Sequence, residues 1–120
     1  MKKLSEASIE NLICLDCVLK IYIPSKQGDL PFDNTQVTED TLTFLSSLFG
    51  GSTKFEAYGC YRMRTGKLIQ EHICICQAFG TSDDFREHID KIYSFCQKLK
   101  ADLNQDSIGL EVNNLFYLVI

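Results

Sequence analysis

The chain of 120 residues has no tryptophan, only two prolines and two histidines, and no apolar run near the roughly 20 residues that cross a bilayer. Each scarcity narrows the reading. Without a long apolar segment no membrane-spanning helix is expected, and the opening MKKLSEASIENLI carries lysines but lacks the apolar core of a secretory signal. Basic residues are also short: 12 Lys and Arg stand against 16 Asp and Glu, a formal net charge of −4. Direct nucleic-acid binding needs a basic surface to displace counterions, so it is not expected here. Repeats and low-complexity tracts are missing too. What is present, 45% apolar and 23% charged residues, suits one globular domain.

Cysteine is not scarce. Most of the six cysteines fall inside apolar strand or helix patterns, where a free thiol behaves as a small hydrophobe. With no secretory signal, this predicts a reducing, cytoplasmic setting rather than a disulfide framework.

Residues 1–13 read as a polar arm, with a short helix started by Ser5 or Ser8, either packed down by Ile9, Leu12 and Ile13 or loose; residues 14–120 read as one α+β domain. Cys14 to Ile23 alternates as a strand, with Leu15, Cys17, Leu19, Ile21 and Ile23 on one face, and Pro24 ends it. A loop rich in turn formers spans 25–36, long enough to suggest a functional role. Thr38 is placed to cap a helix reaching Leu48, stopped by Gly50. Two long strands follow, joined at Thr65-Gly66. Thr81 or Ser82 then caps a helix of about 83–103, whose Phe85, Ile89, Ile92, Tyr93, Cys96, Leu99 and Leu103 keep three-and-four spacing. A short strand at 107–112, a turn at Asn113-Asn114 and a last strand at 115–120 complete the chain. The order β-α-β-β-α-β with an added strand is the ferredoxin-like arrangement: two helices on one face of an antiparallel sheet, the other face open.

In the long strands Phe55, Ala57, Gly59, Tyr61 and Met63 share a face, as do Ile69, Glu71, Ile73 and Ile75. If the isoleucine face meets the helices, the open face carries Asp16, Val18, Lys20, Tyr22, Tyr58, Cys60, Arg62, His72, Cys74 and Cys76. A register shift of one residue would exchange the two sets. A face so aromatic and half-apolar calls for a cover. Two covers fit: a second copy of the chain, making a homodimer or higher homo-oligomer, or a small anionic, nucleotide-like ligand. Lys20, Tyr22, Tyr58, Arg62, Arg64 and His72 are the candidate ligand contacts, because an arginine fork and tyrosine planes suit a planar anion.

Other constellations are weaker. Cys14 and Cys17, with His72, Cys74 and Cys76, have the residue types for zinc, but strand geometry points Cys14 and Cys17 to opposite faces, so neither metal nor cofactor is expected. Gly50-Gly51-Ser52-Thr53 could cradle a phosphate, yet it follows the negative end of a helix and reads as a helix stop. His88, beside Glu87 and Asp90, reads as solvated helix surface.

The run LFGGST…G…G…E from Leu48 to Glu71, with the later NQDSIGLEVN, resembles small ferredoxin-like proteins of bacteria and their phages. The resemblance implies an accessory binding protein, of the kind phages encode against host defence, and brings no catalytic residues. The leading expectation is therefore a non-enzymatic cytoplasmic oligomer that sequesters a small anionic signal. Two alternatives stand beside it. One is a protein–protein inhibitor of a host defence or nucleic-acid-binding protein, using Glu56, Asp83, Asp84 and Asp90. The other is a small enzyme using His72 with Cys60 or Glu71.

Overall fold

β1 (Cys17–Pro24) is the strand on which the sheet is built, and its residues alternate strictly between buried and half-buried. The computed structural model describes residues 6–62 and 64–120. Around β1 come α1 (Glu6–Glu10), β2 (Lys26–Gln27), β3 (Leu30–Pro31), α2 (Thr35–Phe49), β4 (Thr53–Arg62), β5 (Leu68–Gly80), α3 (Ser82–Asp102), β6 (Ile108–Val112) and β7 (Leu115–Val119). β2 and β3 pair only with each other; the remaining strands form one sheet in the order β4-β5-β1-β6-β7. Every pairing is antiparallel. This is the expected ferredoxin-like α+β fold, with β7 as the added edge strand.

The core lies between the sheet and the two long helices. Leu19, Ile21 and Ile23 of β1 meet Leu45 of α2, Ile92, Cys96 and Leu99 of α3, and Ile108 and Leu110 of β6. Phe44 and Phe95 stack at 4.1 Å where the helices approach each other. Each large apolar side chain taken out of water there favours folding by roughly 1.5–3 kcal/mol before conformational entropy is set against it.

Local signals place most boundaries. Gly50 ends α2 in the left-handed conformation at φ 87°, donating its N–H to the Ser46 carbonyl. Thr81 caps α3 in a reciprocal box: its side chain accepts from Asp84 N–H while Asp84 accepts from Thr81 N–H. Asn113 and Asn114 both take positive φ, as the tight β6–β7 turn requires. The start of α2 differs from expectation. Thr38 is not a cap but a buried residue inside the helix, which begins at Thr35 after Asp33 accepts from both the Thr35 N–H and its hydroxyl. In the arm, Ile9, Leu12 and Ile13 are exposed, which matches the loose alternative, and Ser8 lies within α1. Ser5 and Met63 lie outside the described residues.

The largest correction concerns the faces of β5. Ile21 pairs with Cys76 and Ile23 with Cys74, so the even-numbered residues of β5 share the helix side with the core residues of β1. Through β4, Lys54, Glu56, Tyr58, Cys60 and Arg62 lie on that same side. The open face instead carries Phe55, Ala57, Gly59 and Tyr61 of β4, Ile69, Glu71, Ile73 and Ile75 of β5, and Lys20 and Tyr22 of β1. Alternation within β5 could not settle this, because Cys74, Ile75 and Cys76 are all buried. Ile75 is covered on the open side by Phe55 and Tyr22, its register partners on the two flanking strands.

Candidate functional site

The far part of the β4–β5 hairpin, Ala57 to Arg62 and Leu68 to Ile73, is exposed or half-buried on both faces. Its open face presents an apolar strip of Ala57, Gly59, Ile69 and Ile73 with one acid in it, Glu71. Gly59 pairs directly with Glu71, and Tyr61 pairs with Ile69, so Tyr61 is the diagonal neighbour of Glu71 on one face. Gly59 offers no side chain between them. Glu71 Oε2 is buried and, among the described residues, has no hydrogen-bond partner. The Tyr61 phenol is pushed up from its ordinary value by burial first, and then by the negative charges of Glu71 and Asp29. Asp29 is in the long loop, between β2 and β3, and this places the loop within electrostatic reach of the hairpin.

A shielded carboxylate oxygen without a donor is costly, because it has given up water for nothing in return. The arrangement suits a cation with apolar substituents. Its charge would meet Glu71, and its apolar substituents would meet the Tyr61 ring and the isoleucines.

The structure divides the six contacts expected from sequence among three places. Lys20 and Tyr22 are on the open face but are occupied by Glu111. Lys20 Nζ lies 3.2 Å from Glu111 Oε2, and the Tyr22 hydroxyl donates to Glu111 Oε1 at 2.7 Å. Tyr58 and His72 lie on the helix side, ring edge to ring face at 4.4 Å. Arg62 ends β4 on the helix side and Arg64 is in the exposed turn. The six therefore do not form one open-face anion site.

The rival catalytic groupings fare differently. His72 and Glu71 are adjacent in sequence and point to opposite faces of β5. Cys60 pairs with Gln70, and His72 with Tyr58, so Cys60 and His72 are diagonal neighbours on the helix side. Of the acidic set, Asp84 is engaged in capping α3 and Asp83 in an exposed ion pair with Arg86, while Glu56 lies on β4. Cys17, Cys74, Cys76 and Cys96 are buried thiols, and burial pushes Cys76 and Cys96 to about 12. Among the described residues no three His, Cys, Asp or Glu side chains gather as metal ligands would, and no helix is long and apolar enough to cross a membrane.

Sequence reasoning named Glu71 but missed Tyr61 as its partner. The pair is a period-two relationship across a hairpin, and it becomes visible only once the register is known.

No protein-family model matches the chain, and no curated protein matches it in sequence. Solved structures do match. The chain resembles a phage SAM lyase in the apo state at TM-score 0.62 and 20% identity, covering 85% of this chain and 86% of that one. The same kind of enzyme in complex with S-methyl-5'-thioadenosine matches at TM-score 0.60 and 18% identity, over 85% and 87% of the two chains. CutA from Synechococcus elongatus matches at TM-score 0.49 and 14% identity, over 85% and 76%. The lyase matches overturn the leading expectation of a non-enzymatic binder, since the fold read as a passive platform is one on which a phage enzyme is built.

Proposed function

We propose that this chain is an enzyme that cleaves a carbon–sulfur bond of S-adenosylmethionine and releases S-methyl-5'-thioadenosine, with Glu71 and Tyr61 receiving the sulfonium. The observation that carries this reading is the buried, unpartnered Glu71 Oε2 beside a tyrosine ring in an apolar strip. A sulfonium centre is a cation whose charge can meet Glu71 while its three carbon substituents meet the tyrosine ring and the apolar strip. The likeness in fold to a lyase of that substrate supports it.

The chemistry balances without a cofactor. The bond between sulfur and the four-carbon amino-acid fragment breaks, and its electron pair goes to sulfur, turning the sulfonium into the neutral thioether of S-methyl-5'-thioadenosine. In a lyase no water is added. The fragment therefore closes on its own carboxylate, whose oxygen forms a carbon–oxygen bond as the carbon–sulfur bond breaks. Ile69, Ile73 and Ala57 keep water from the reacting carbon. Glu71 meets the sulfonium in the bound substrate and, while charge remains on sulfur, in the transition state, so its loss raises KM and leaves kcat little changed.

Water exclusion needs a cover for this face, since Phe55, Tyr61, Phe116 and Leu118 are 41–61% exposed. A homo-oligomer supplies one. A cytoplasmic setting fits the free thiols.

The test is turnover in water enriched in heavy oxygen. The expected result is S-methyl-5'-thioadenosine with a four-carbon fragment free of the label at early times. A labelled fragment formed directly would indicate hydrolysis, and no turnover at all would refute the proposal.

A further inference from the structure

On the opposite side of the sheet from Glu71, a cavity of about 130 Å³ opens between the start of α2 and the helix-facing side of the hairpin. Asn34, Thr35, Thr38, Lys54, Glu56 and His72 line it. None of these residues has a part in the proposed sulfonium site. We propose that this cavity binds a small zwitterionic α-amino acid, its carboxylate toward Lys54 and the start of α2 and its ammonium toward Glu56.

Three observations carry the assignment. Thr38 is 1% exposed and its hydroxyl has no partner, although it lines the cavity. A hydroxyl out of reach of bulk water is normally satisfied within the protein, so this one stands as an unmet donor in the wall of the cavity. Next, Lys54 and Glu56 are two apart on β4 and so share a side, with their Cα atoms about 7 Å apart. Among the described residues neither takes part in an ion pair. Third, no side chain hydrogen-bonds across the cap position of α2, and its first turn holds no acid. Asn34, at that position, gives its amide to the Pro24 carbonyl instead. The positive end of a 15-residue helix is thus left facing the cavity, answered only by Asp33, which accepts from Thr35.

Charge selects among ligands. A phosphate would gain from Lys54 and the helix start but would be set against Glu56 and Asp33. A simple amine would gain from Glu56 and lose to Lys54. A molecule carrying both signs a few ångströms apart satisfies both ends. The volume of about 130 Å³ suits a small ligand, with a side chain of a few atoms.

Amide-resolved NMR titration of the full chain with L-alanine tests this, with acetate, methylamine and inorganic phosphate as comparisons. L-alanine should shift the amides of Thr35, Thr38 and His72 saturably, and acetate should bind about tenfold more weakly. Lys54→Met and Glu56→Gln, both at exposed positions, should each weaken L-alanine by about tenfold, and Thr38→Val by several-fold. Glu71→Gln, on the other face, should leave the affinity unchanged, so this result is independent of turnover. Absence of saturable shifts with L-alanine would overturn the proposal. So would phosphate binding more tightly than L-alanine and gaining further from Glu56→Gln, which would mark a plain anion site.

Discussion

Tyr22 donates a 2.7 Å hydrogen bond to Glu111 across the β1–β6 pair, and this bond holds one half of the open face in place. Burial and the neighbouring carboxylate push the Tyr22 phenol up to about 12, while its hydrogen bond and Lys20 hold the Glu111 carboxyl below its ordinary value. The phenol has the higher pKa in the folded state, so above pH 10 the unfolded chain loses that proton first. The Tyr22 contribution is complete below about pH 10 and is lost as pH rises toward 12. Glu111 acts with the opposite sign: its contribution is present above the ordinary glutamate range and is lost as pH falls. In an ultraviolet titration one tyrosine should ionise well after the others, and Tyr22→Phe should remove that late phase. Loss of a late phase in any other Tyr→Phe variant but not in this one would contradict the assignment.

Gly109→Ala should destabilise the protein by about 1–3 kcal/mol through overpacking. A Cβ there would sit 2.6 Å from the Phe116 ring and 3.3 Å from Tyr22 Cβ, in the edge-to-face contact those two rings make at 5.2 Å. Phe116→Leu in the same chain should recover part of the loss. Urea unfolding reads both, and a Gly109→Ala protein as stable as the parent would show that the rings are not fixed as described.

Removing the Thr81 side chain with Thr81→Ala should cost about 1 kcal/mol, the usual worth of a helix cap, and Thr81→Ser should cost much less. Thermal or urea unfolding distinguishes the pair. Equal losses in both variants would mean that the Thr81 methyl, not the capping hydroxyl, is what matters.

That cap shows which features were legible in the sequence. The TSDD start of α3, the Gly50 stop, the Asn113-Asn114 turn and the three-and-four spacing of Ile92, Cys96 and Leu99 are all written within a few residues of one another. The β-α-β-β-α-β order followed from them. The face of β5 was not legible, because Cys74, Ile75 and Cys76 are buried on both sides and carry no alternation. Its phase is set by pairing with Ile21 and Ile23, more than fifty residues away. The consequence for the site was direct. Glu71 stood among the candidates as a partner for His72, from which the pleat separates it, while Tyr61, its neighbour across the hairpin, went unnoticed.

Tyr61 contributes through its ring more than its hydroxyl if it faces a sulfonium. Tyr61→Phe should keep S-adenosylmethionine affinity within a few-fold, and Tyr61→Ala should lose about tenfold, in line with a partly desolvated cation–π contact. Calorimetry with a non-reacting sulfonium analogue measures this. Equal losses in the two variants would place the hydroxyl, not the ring, in contact.

The most direct test of the account is the release of S-methyl-5'-thioadenosine from S-adenosylmethionine by the purified chain and by Glu71→Gln, measured by chromatography over a range of substrate concentrations. The account predicts turnover by the parent. For Glu71→Gln it predicts a fall in kcat/KM of roughly 10–100-fold, as expected for a lost charged contact, and carried mainly by KM. Intact S-adenosylmethionine after prolonged incubation with excess protein, or equal kcat/KM in parent and variant, would contradict it.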